Sequence, residues 1–135
     1  MTRTEARDAA FKVLFEYEFQ GGTPAELLAL YYSCIGEAGA QTEYFEDVVT
    51  RTITNVSEID GCISPHLRSR SIGRISKVSL AALRIAVCEI LYREDVPEGI
   101  AVNEAVELTK IYDSPESGSF VNGVLSSVIK EKKHE

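Results

Sequence analysis

Apolar residues recur every three to four positions along most of the chain, which is the spacing of one face of an α-helix. The first such face lies within residues 4–20 and ends at a glycine pair, residues 21–22. A second helix is predicted over residues 24–35, because Thr23 and Glu26 are placed to form a capping box around a proline at the first helical position. Both faces predict amphipathic helices that pack on a core.

The run VVTRTITNV is rich in β-branched residues, which favour strands. The wider pattern overrides this preference, because a single helical face continues over about residues 45–59 and predicts a third helix that Gly61 closes or kinks. Ser64-Pro65 predicts a short helical piece. Residues 78–92 are apolar almost all round and predict a central buried helix, and a fifth long helix is predicted over residues 100–112.

The stretch ESGSFVNGVL contains Asn122-Gly123, a dipeptide that often forms the turn of a β-hairpin. The apolar residues around it follow the helical spacing instead, which predicts a sixth helix with a glycine inside it. A helix-interior glycine costs about 1 kcal/mol relative to alanine. We therefore expect Gly123 to face a closely packed neighbouring helix, with residues 113–118 as a loop. No segment with period-two alternation remains, so the predicted fold class is all-α.

Composition fits one cytoplasmic domain with a real core, since the chain has 135 residues, of which 44% are hydrophobic. No apolar run approaches the roughly 20 residues that cross a bilayer, so no membrane partner is expected. Cys34, Cys62 and Cys88 are odd in number and lack C-x-x-C spacing, which predicts buried free thiols. No catalytic constellation, phosphate-binding glycine loop or metal-ligand spacing occurs, so neither an enzyme nor a cofactor is expected.

Charge is distributed unevenly along the chain. The net charge is −7, yet residues 61–88 carry five basic side chains and no acidic one. Four of them, Arg68, Arg70, Arg74 and Lys77, form what we call the basic segment. Such a run is usually a solvated surface, and the alternative is a contact with phosphates, for which clustered arginine and lysine supply most of the affinity.

Arg3, Arg7 and Phe120 have two interpretations each, and Arg84 has one expected role. Arg3 and Arg7 fall near the middle of the apolar face of the first helix, where they either pair with carboxylates or stand beside aromatic rings to bind single-stranded RNA. Arg84 is expected to pair with Glu89 or Glu104. The ring of Phe120, at the start of its helix, is either part of the core or projects from it.

Four segments resemble a known family in order and spacing. SIGRISKVSLAALRIAVCEIL, DVPEGIAVNEAVELTKIY and SFVNGVL resemble the C-terminal half of the NusB transcription antitermination factors, and ARDAAFKVLFEYEF resembles their first helix. The resemblance covers most of the chain and is weakest over about residues 21–64. It implies a helical bundle of two packed three-helix subdomains, about residues 1–72 and 73–135, in which FVNGVL is helical.

The resemblance also implies a function and a set of contact positions. It implies a non-catalytic protein that pairs with NusE, a ribosomal small-subunit protein, binds boxA RNA of nascent ribosomal transcripts and acts indirectly on elongating RNA polymerase. The RNA-contacting positions that it implies are Arg3, Arg7, Phe15, Arg70, Glu116, Ser119 and Phe120. Because Glu5 lies among few basic residues at the N-terminus, weak binding to RNA alone is expected, with NusE supplying positive charge.

Two alternatives remain at this point. NusB-like domains also resemble the N-terminal part of certain ribosomal RNA cytosine methyltransferases, so the chain could be the RNA-binding part of such an enzyme. A helical protein-interaction module, or a homodimer that hides the RNA face, is the other alternative and agrees with the acidic charge.

Overall fold

Helices dominate the computed structural model, which describes residues 1–68 and 70–133. The α-helices are α1 (Arg3–Gln20), α2 (Pro24–Ile35), α3 (Thr42–Thr54), α4 (Val56–Ile63), α5 (Lys77–Tyr92), α6 (Glu98–Tyr112) and α7 (Pro115–Lys133). Short 3-10 helices lie at Gly39–Gln41, Ser64–His66 and Ile72–Arg74. The described residues contain no strand, and the predicted all-α class is confirmed.

Capping boxes fix the starts of the first two helices. Thr2 accepts a hydrogen bond from the backbone N–H of Glu5, whose carboxylate accepts one from the backbone N–H of Thr2. Thr23 and Glu26 make the same reciprocal pair at the start of α2. These contacts satisfy N–H groups that have no partner within the helix, and they confirm the predicted start of the second helix.

The predicted third helix is broken into α3 and α4 at Asn55, so Gly61 neither ends nor kinks it and lies inside α4. The Asn55 side chain donates a hydrogen bond of 2.9 Å to the carbonyl oxygen of Arg51. The backbone N–H of Asn55 donates to the same oxygen, and side-chain hydrogen bonds of this kind compete with the continuation of a helix. The apolar periodicity continues across the break, which is why the sequence pattern alone predicted one helix.

Helix α5 is the centre of the fold, as its all-round apolar sequence predicted. Every residue from Ser79 to Ile90 is buried, and α5 contacts α1, α3, α4, α6 and α7. The predicted subdomain boundary near residues 72 and 73 falls at the short helix Ile72–Arg74, and this division stays a prediction. The part before that boundary has four α-helices instead of three because of the break at Asn55.

Two glycines of α7 differ from expectation. Gly123 is helical, as predicted, but it is exposed and a Cβ placed on it would meet no atom within 4 Å. The close approach occurs at Gly118, where a Cβ would lie 2.9 Å from Cγ of Lys110 and 3.5 Å from the carbonyl oxygen of Val106 on α6. Because α7 begins at Pro115, Gly118 belongs to the helix and not to the predicted loop.

Replacing Gly118 with valine should therefore destabilise the protein by about 1 to 3 kcal/mol, the usual cost of overpacking. The same change at Gly123 should alter the free energy of unfolding by less than about 0.5 kcal/mol, because the added side chain meets only solvent. Urea denaturation of the two variants measures both values. Equal losses at the two positions would contradict the packing described here.

None of the described cysteines is in a disulfide, and only Cys88 is fully buried. Cys34 is exposed and Cys62 is intermediate in exposure, so the prediction of three buried thiols is wrong for Cys34 and holds only in part for Cys62. Burial raises the pKa of the Cys88 thiol to about 11. Within the described residues, no group of three or more His, Cys, Asp or Glu side chains is arranged to hold a metal ion. None of the helices described is long and apolar enough to cross a membrane.

Candidate nucleic-acid interface

The basic segment connects α4 to α5 and presents its arginines to solvent. Buried Leu67 and Ile75 anchor the connection on either side, and Arg68, Arg70 and Arg74 between them are exposed. Lys77 differs, because its Nζ lies 3.4 Å from Oε2 of Glu18 on α1. The two buried apolar residues thus fix the ends of the connection, and the three arginines between them face solvent.

Arginines elsewhere in the chain are neutralised by carboxylates. Those paired in this way are Arg3, Arg7, Arg51, Arg84 and Arg93. Within the part of the chain that the structure describes, no carboxylate lies within ion-pair distance of Arg68, Arg70 or Arg74. In a protein with a net charge of −7, three unpaired guanidinium groups in one connection form a local positive field suited to an anion.

Phe120 lies against this segment. Its ring packs partly on the core and remains partly exposed, so the two interpretations from sequence both hold in part. Cζ of Arg70 lies 5.1 Å from the ring centroid, within the range of a cation–π contact. The ring and the guanidinium are therefore held together at the surface before any ligand binds.

A cleft of about 460 Å³ opens between the basic segment and α7. We call it the Phe120 cleft, and its lining includes His66, Arg68, Arg70, Ser119, Phe120 and Gly123. A second cleft of about 300 Å³ shares Arg70 and Phe120 with it and is bordered by Arg74 and Glu116. Arg70, Glu116, Ser119 and Phe120, four of the positions that the family resemblance implied, thus lie together around two adjoining clefts.

Arg7 is in a different place, and its burial in an ion pair does not support the predicted contact with RNA, which stays a prediction. Its side chain is only 2% exposed, and Nη2 donates a hydrogen bond of 2.7 Å to Oε2 of Glu89, which is fully buried. Nη1 lies 2.9 Å from Oε1 of Glu104, as an ion pair without hydrogen-bond geometry. Burial acts to lower the pKa of Arg7, but the hydrogen bonds and charge of Glu89 raise it overall.

Arg3 and Arg84 are also engaged with other side chains. Nε of Arg3 donates a 2.7 Å hydrogen bond to Gln41, and its guanidinium lies 4.2 Å from the ring centroid of Tyr44. Arg84 pairs with carboxylates as expected, but these are Asp60 and Glu18. The expected partners, Glu89 and Glu104, hold Arg7 instead.

Phe15 lies in an aromatic row on α1. Its ring centroid is 6.1 Å from that of Phe11 and 5.0 Å from that of Phe19. Together with Val78 and Tyr112 it lines a groove of about 380 Å³. Val78 is followed directly by Ser79, which borders the second cleft. The Phe15 groove and the second cleft therefore both border the first turn of α5.

Sequence reasoning singled out Arg68 and Gly123 but did not predict that both line the Phe120 cleft. Arg68 has φ of 60°, in the left-handed region that L residues avoid at a cost of roughly 1 to 2 kcal/mol. Gly123 was attributed to packing rather than to a surface cleft. A helix-interior glycine spaced three residues after an aromatic was the available signal, because residues three apart lie on one face of a helix.

The fold and the clefts define the class of protein: an all-α protein whose unpaired arginines and half-buried phenylalanine gather on one surface. The family model described as the NusB family matches residues 4–130. Transcription antitermination protein NusB of Acetivibrio thermocellus is 40% identical over 132 residues, covering 98% of this chain and 91% of that protein. The protein of the same description from Listeria monocytogenes serotype 4a is 37% identical, covering 98% of this chain and 100% of its own.

Solved structures agree with the sequence relatives. A crystal structure of antitermination factors NusB and NusE in complex with double-stranded RNA contains a chain 33% identical to this one, with a TM-score of 0.85 and coverage of 97% and 99%. The structure of T. maritima NusB matches with a TM-score of 0.87 at 33% identity, covering 97% of this chain and 92% of that one. The chain belongs to the NusB family.

Proposed function

We propose that this chain is a transcription antitermination factor that binds boxA RNA of nascent ribosomal transcripts together with NusE and thereby acts on elongating RNA polymerase. Its role is one of binding and not of catalysis, and it acts in the cytoplasm, where its relatives' named process takes place. This chain aligns with 91% to 100% of the length of the two relatives named as antitermination proteins. This supports antitermination over the methyltransferase alternative.

The observation that carries the proposal is the concentration of unpaired arginines beside Phe120. Guanidinium groups bind phosphates and aromatic rings stack on exposed bases, which is the usual combination for single-stranded RNA. We propose Arg70, Ser119 and Phe120 as contacts, with Glu116 at the edge of the same surface and Phe15 in a separate groove that also borders the start of α5. Arg3 is a peripheral candidate because its guanidinium is only partly buried.

The proposed partner accounts for the acidic charge of this chain. Only three arginines are left unpaired on the described surface, so the isolated protein neutralises few phosphates, and its affinity for RNA should be low. A basic partner bound beside the clefts would extend the positive field. In the structural relative described above, NusB and NusE are bound together with RNA.

We expect NusE to raise the affinity for boxA RNA by about tenfold or more, because the sequence-independent part of the affinity grows with the number of phosphates neutralised. Fluorescence anisotropy of labelled boxA RNA, titrated with this protein alone and with an equimolar mixture with NusE, measures the difference. A scrambled RNA of equal length controls for nonspecific attraction.

Two results would contradict the proposal. Equal affinity with and without NusE would show that the partner does not share the site. Absence of boxA binding in both titrations, combined with a stable dimer in sedimentation velocity, would favour the interaction-module alternative. The exposed side chains that such a dimer would cover are Phe19, Leu30 and Ile35, which are 60%, 55% and 63% exposed.

A further inference from the structure

The Phe120 cleft contains a helical glycine that the packing of the protein does not require. Gly123 lies in the interior of α7, it is exposed, and a Cβ built on it would meet no atom within 4 Å. Alanine is the better helix former at such a position. Glycine is also used where a ligand approaches the backbone closely, and Gly123 lines a cleft where such a ligand would sit.

The cleft combines apolar side chains with exposed cations. Phe120 and Val124 flank Gly123 on α7, and buried Leu67 closes the opposite wall. Arg68 and Arg70 are exposed, and no described carboxylate pairs with them. This is the arrangement that a nucleotide needs, because its base is flat and largely apolar on its faces while its phosphate is anionic.

Arg68 supports the same interpretation independently of Gly123. Its φ of 60° is the only positive value among the described residues other than glycine. Residues in sparsely populated backbone regions cluster at ligand-binding sites, where the surrounding structure holds them. Two positions that are individually unfavourable for the fold, a strained arginine and an exposed helical glycine, therefore line one cleft.

We infer that the Phe120 cleft receives one unstacked nucleotide of the bound RNA, with its base on the ring of Phe120, its sugar against the open Cα of Gly123 and its phosphate between Arg68 and Arg70. This inference rests on the proposed RNA-binding function. The volume of about 460 Å³ suits a small-molecule-sized group. The hydroxyls of Ser119 and Ser127, and the imidazole of His66, also line the cleft and can meet the edge of the base. Nε2 of His66 lies 3.0 Å from Oε2 of Glu131.

Replacing Gly123 with alanine tests the close approach, because the added methyl group occupies the space assigned to the nucleotide. The matched control is Gly61→Ala in α4, another exposed helical glycine with no atom within 4 Å of its built Cβ. Both variants should melt at or above the wild-type temperature. With NusE present, Gly123→Ala should weaken boxA binding by about fivefold or more, and Gly61→Ala should leave it unchanged within about twofold.

A set of boxA RNAs, each lacking one base, identifies the nucleotide. One abasic position should lower wild-type affinity by about tenfold, and the same abasic RNA should lower the affinity of Gly123→Ala by less than about twofold, since coupled changes are not additive. Arg68→Gly should keep or raise the melting temperature, because glycine accepts the positive φ, and should also weaken RNA binding.

The outcomes separate this inference from the function on which it rests. If wild-type protein with NusE binds boxA and Gly123→Ala binds equally well, the nucleotide site is overturned and the proposed function stands. A uniform small effect at every abasic position would also overturn the nucleotide site. Absence of boxA binding by the wild-type mixture would overturn the proposed function itself, and this inference with it.

Discussion

Replacing Arg7 with alanine is expected to lower the free energy of unfolding by about 3 to 5 kcal/mol, because it leaves the carboxylate of Glu89 buried without its partner. Glu89 is fully buried and receives hydrogen bonds from both Nε and Nη2 of Arg7. The pair connects α1 to α5, whose residues are far apart in sequence. Urea denaturation followed by circular dichroism measures the loss.

Two controls separate the buried pair from an effect of charge alone. The double variant Arg7→Met, Glu89→Leu removes both charges together and should recover most of the stability, since well-packed apolar groups can replace a buried pair. Arg51→Ala removes an exposed arginine that pairs with Asp47 on the same helix, and it should cost less than about 1 kcal/mol. Full stability of Arg7→Ala, with loss of RNA binding, would instead restore the phosphate contact that sequence suggested.

The helices could be predicted from sequence because their causes are local. Neighbouring residues alone define the capping box of Thr23 and Glu26, and they also define the all-round apolar run of α5. Both predictions are confirmed. The break at Asn55 could not be predicted, because the same apolar face continues through it. At the break the carbonyl oxygen of Arg51 accepts hydrogen bonds from both the backbone N–H and the side-chain amide of Asn55, and the apolar pattern does not report such a contact.

The ion-pair partners of the buried arginines could not be predicted, because these partners are distant in sequence. Arg7 and Arg84 both lie among apolar residues, and the sequence assigned Glu89 and Glu104 to the wrong one of them. Only the antiparallel packing of α1 on α5, which brings Arg7 to Glu89 and Glu18 to Arg84, determines the choice. A periodicity argument places a residue on a helical face, but it does not identify the helix that covers that face.

The site around Phe120 was predicted only in part, because it too is formed by residues that are distant in sequence. The run of basic residues was visible, and its position beside Phe120 entered only through the family resemblance. The role of Gly123 was misassigned because a glycine signals close approach without indicating whether the neighbour is protein or ligand. The built Cβ distances at Gly118 and Gly123 distinguish these two cases.

Replacing Phe120 with alanine is expected to weaken boxA binding by about 1 to 3 kcal/mol through lost base stacking, with the salt dependence almost unchanged. Arg70→Ala should act differently. It removes one guanidinium without a carboxylate partner, so the slope of log affinity against log salt should flatten by about 0.7, the contribution of one phosphate of a single strand. Anisotropy titrations at four salt concentrations, with NusE present, resolve the two signatures.

Phe120 also packs partly on the core, so a loss of binding by the alanine variant has to be separated from a loss of stability. Phe120→Leu is the matched variant, because leucine keeps most of the apolar contact but has no aromatic face to stack on a base. If Phe120→Leu melts close to the wild type and still binds boxA as weakly as Phe120→Ala, the ring acts by stacking. Recovery of binding by leucine would show that Phe120 only supports the fold, and the basic segment would then hold the RNA by its phosphates alone.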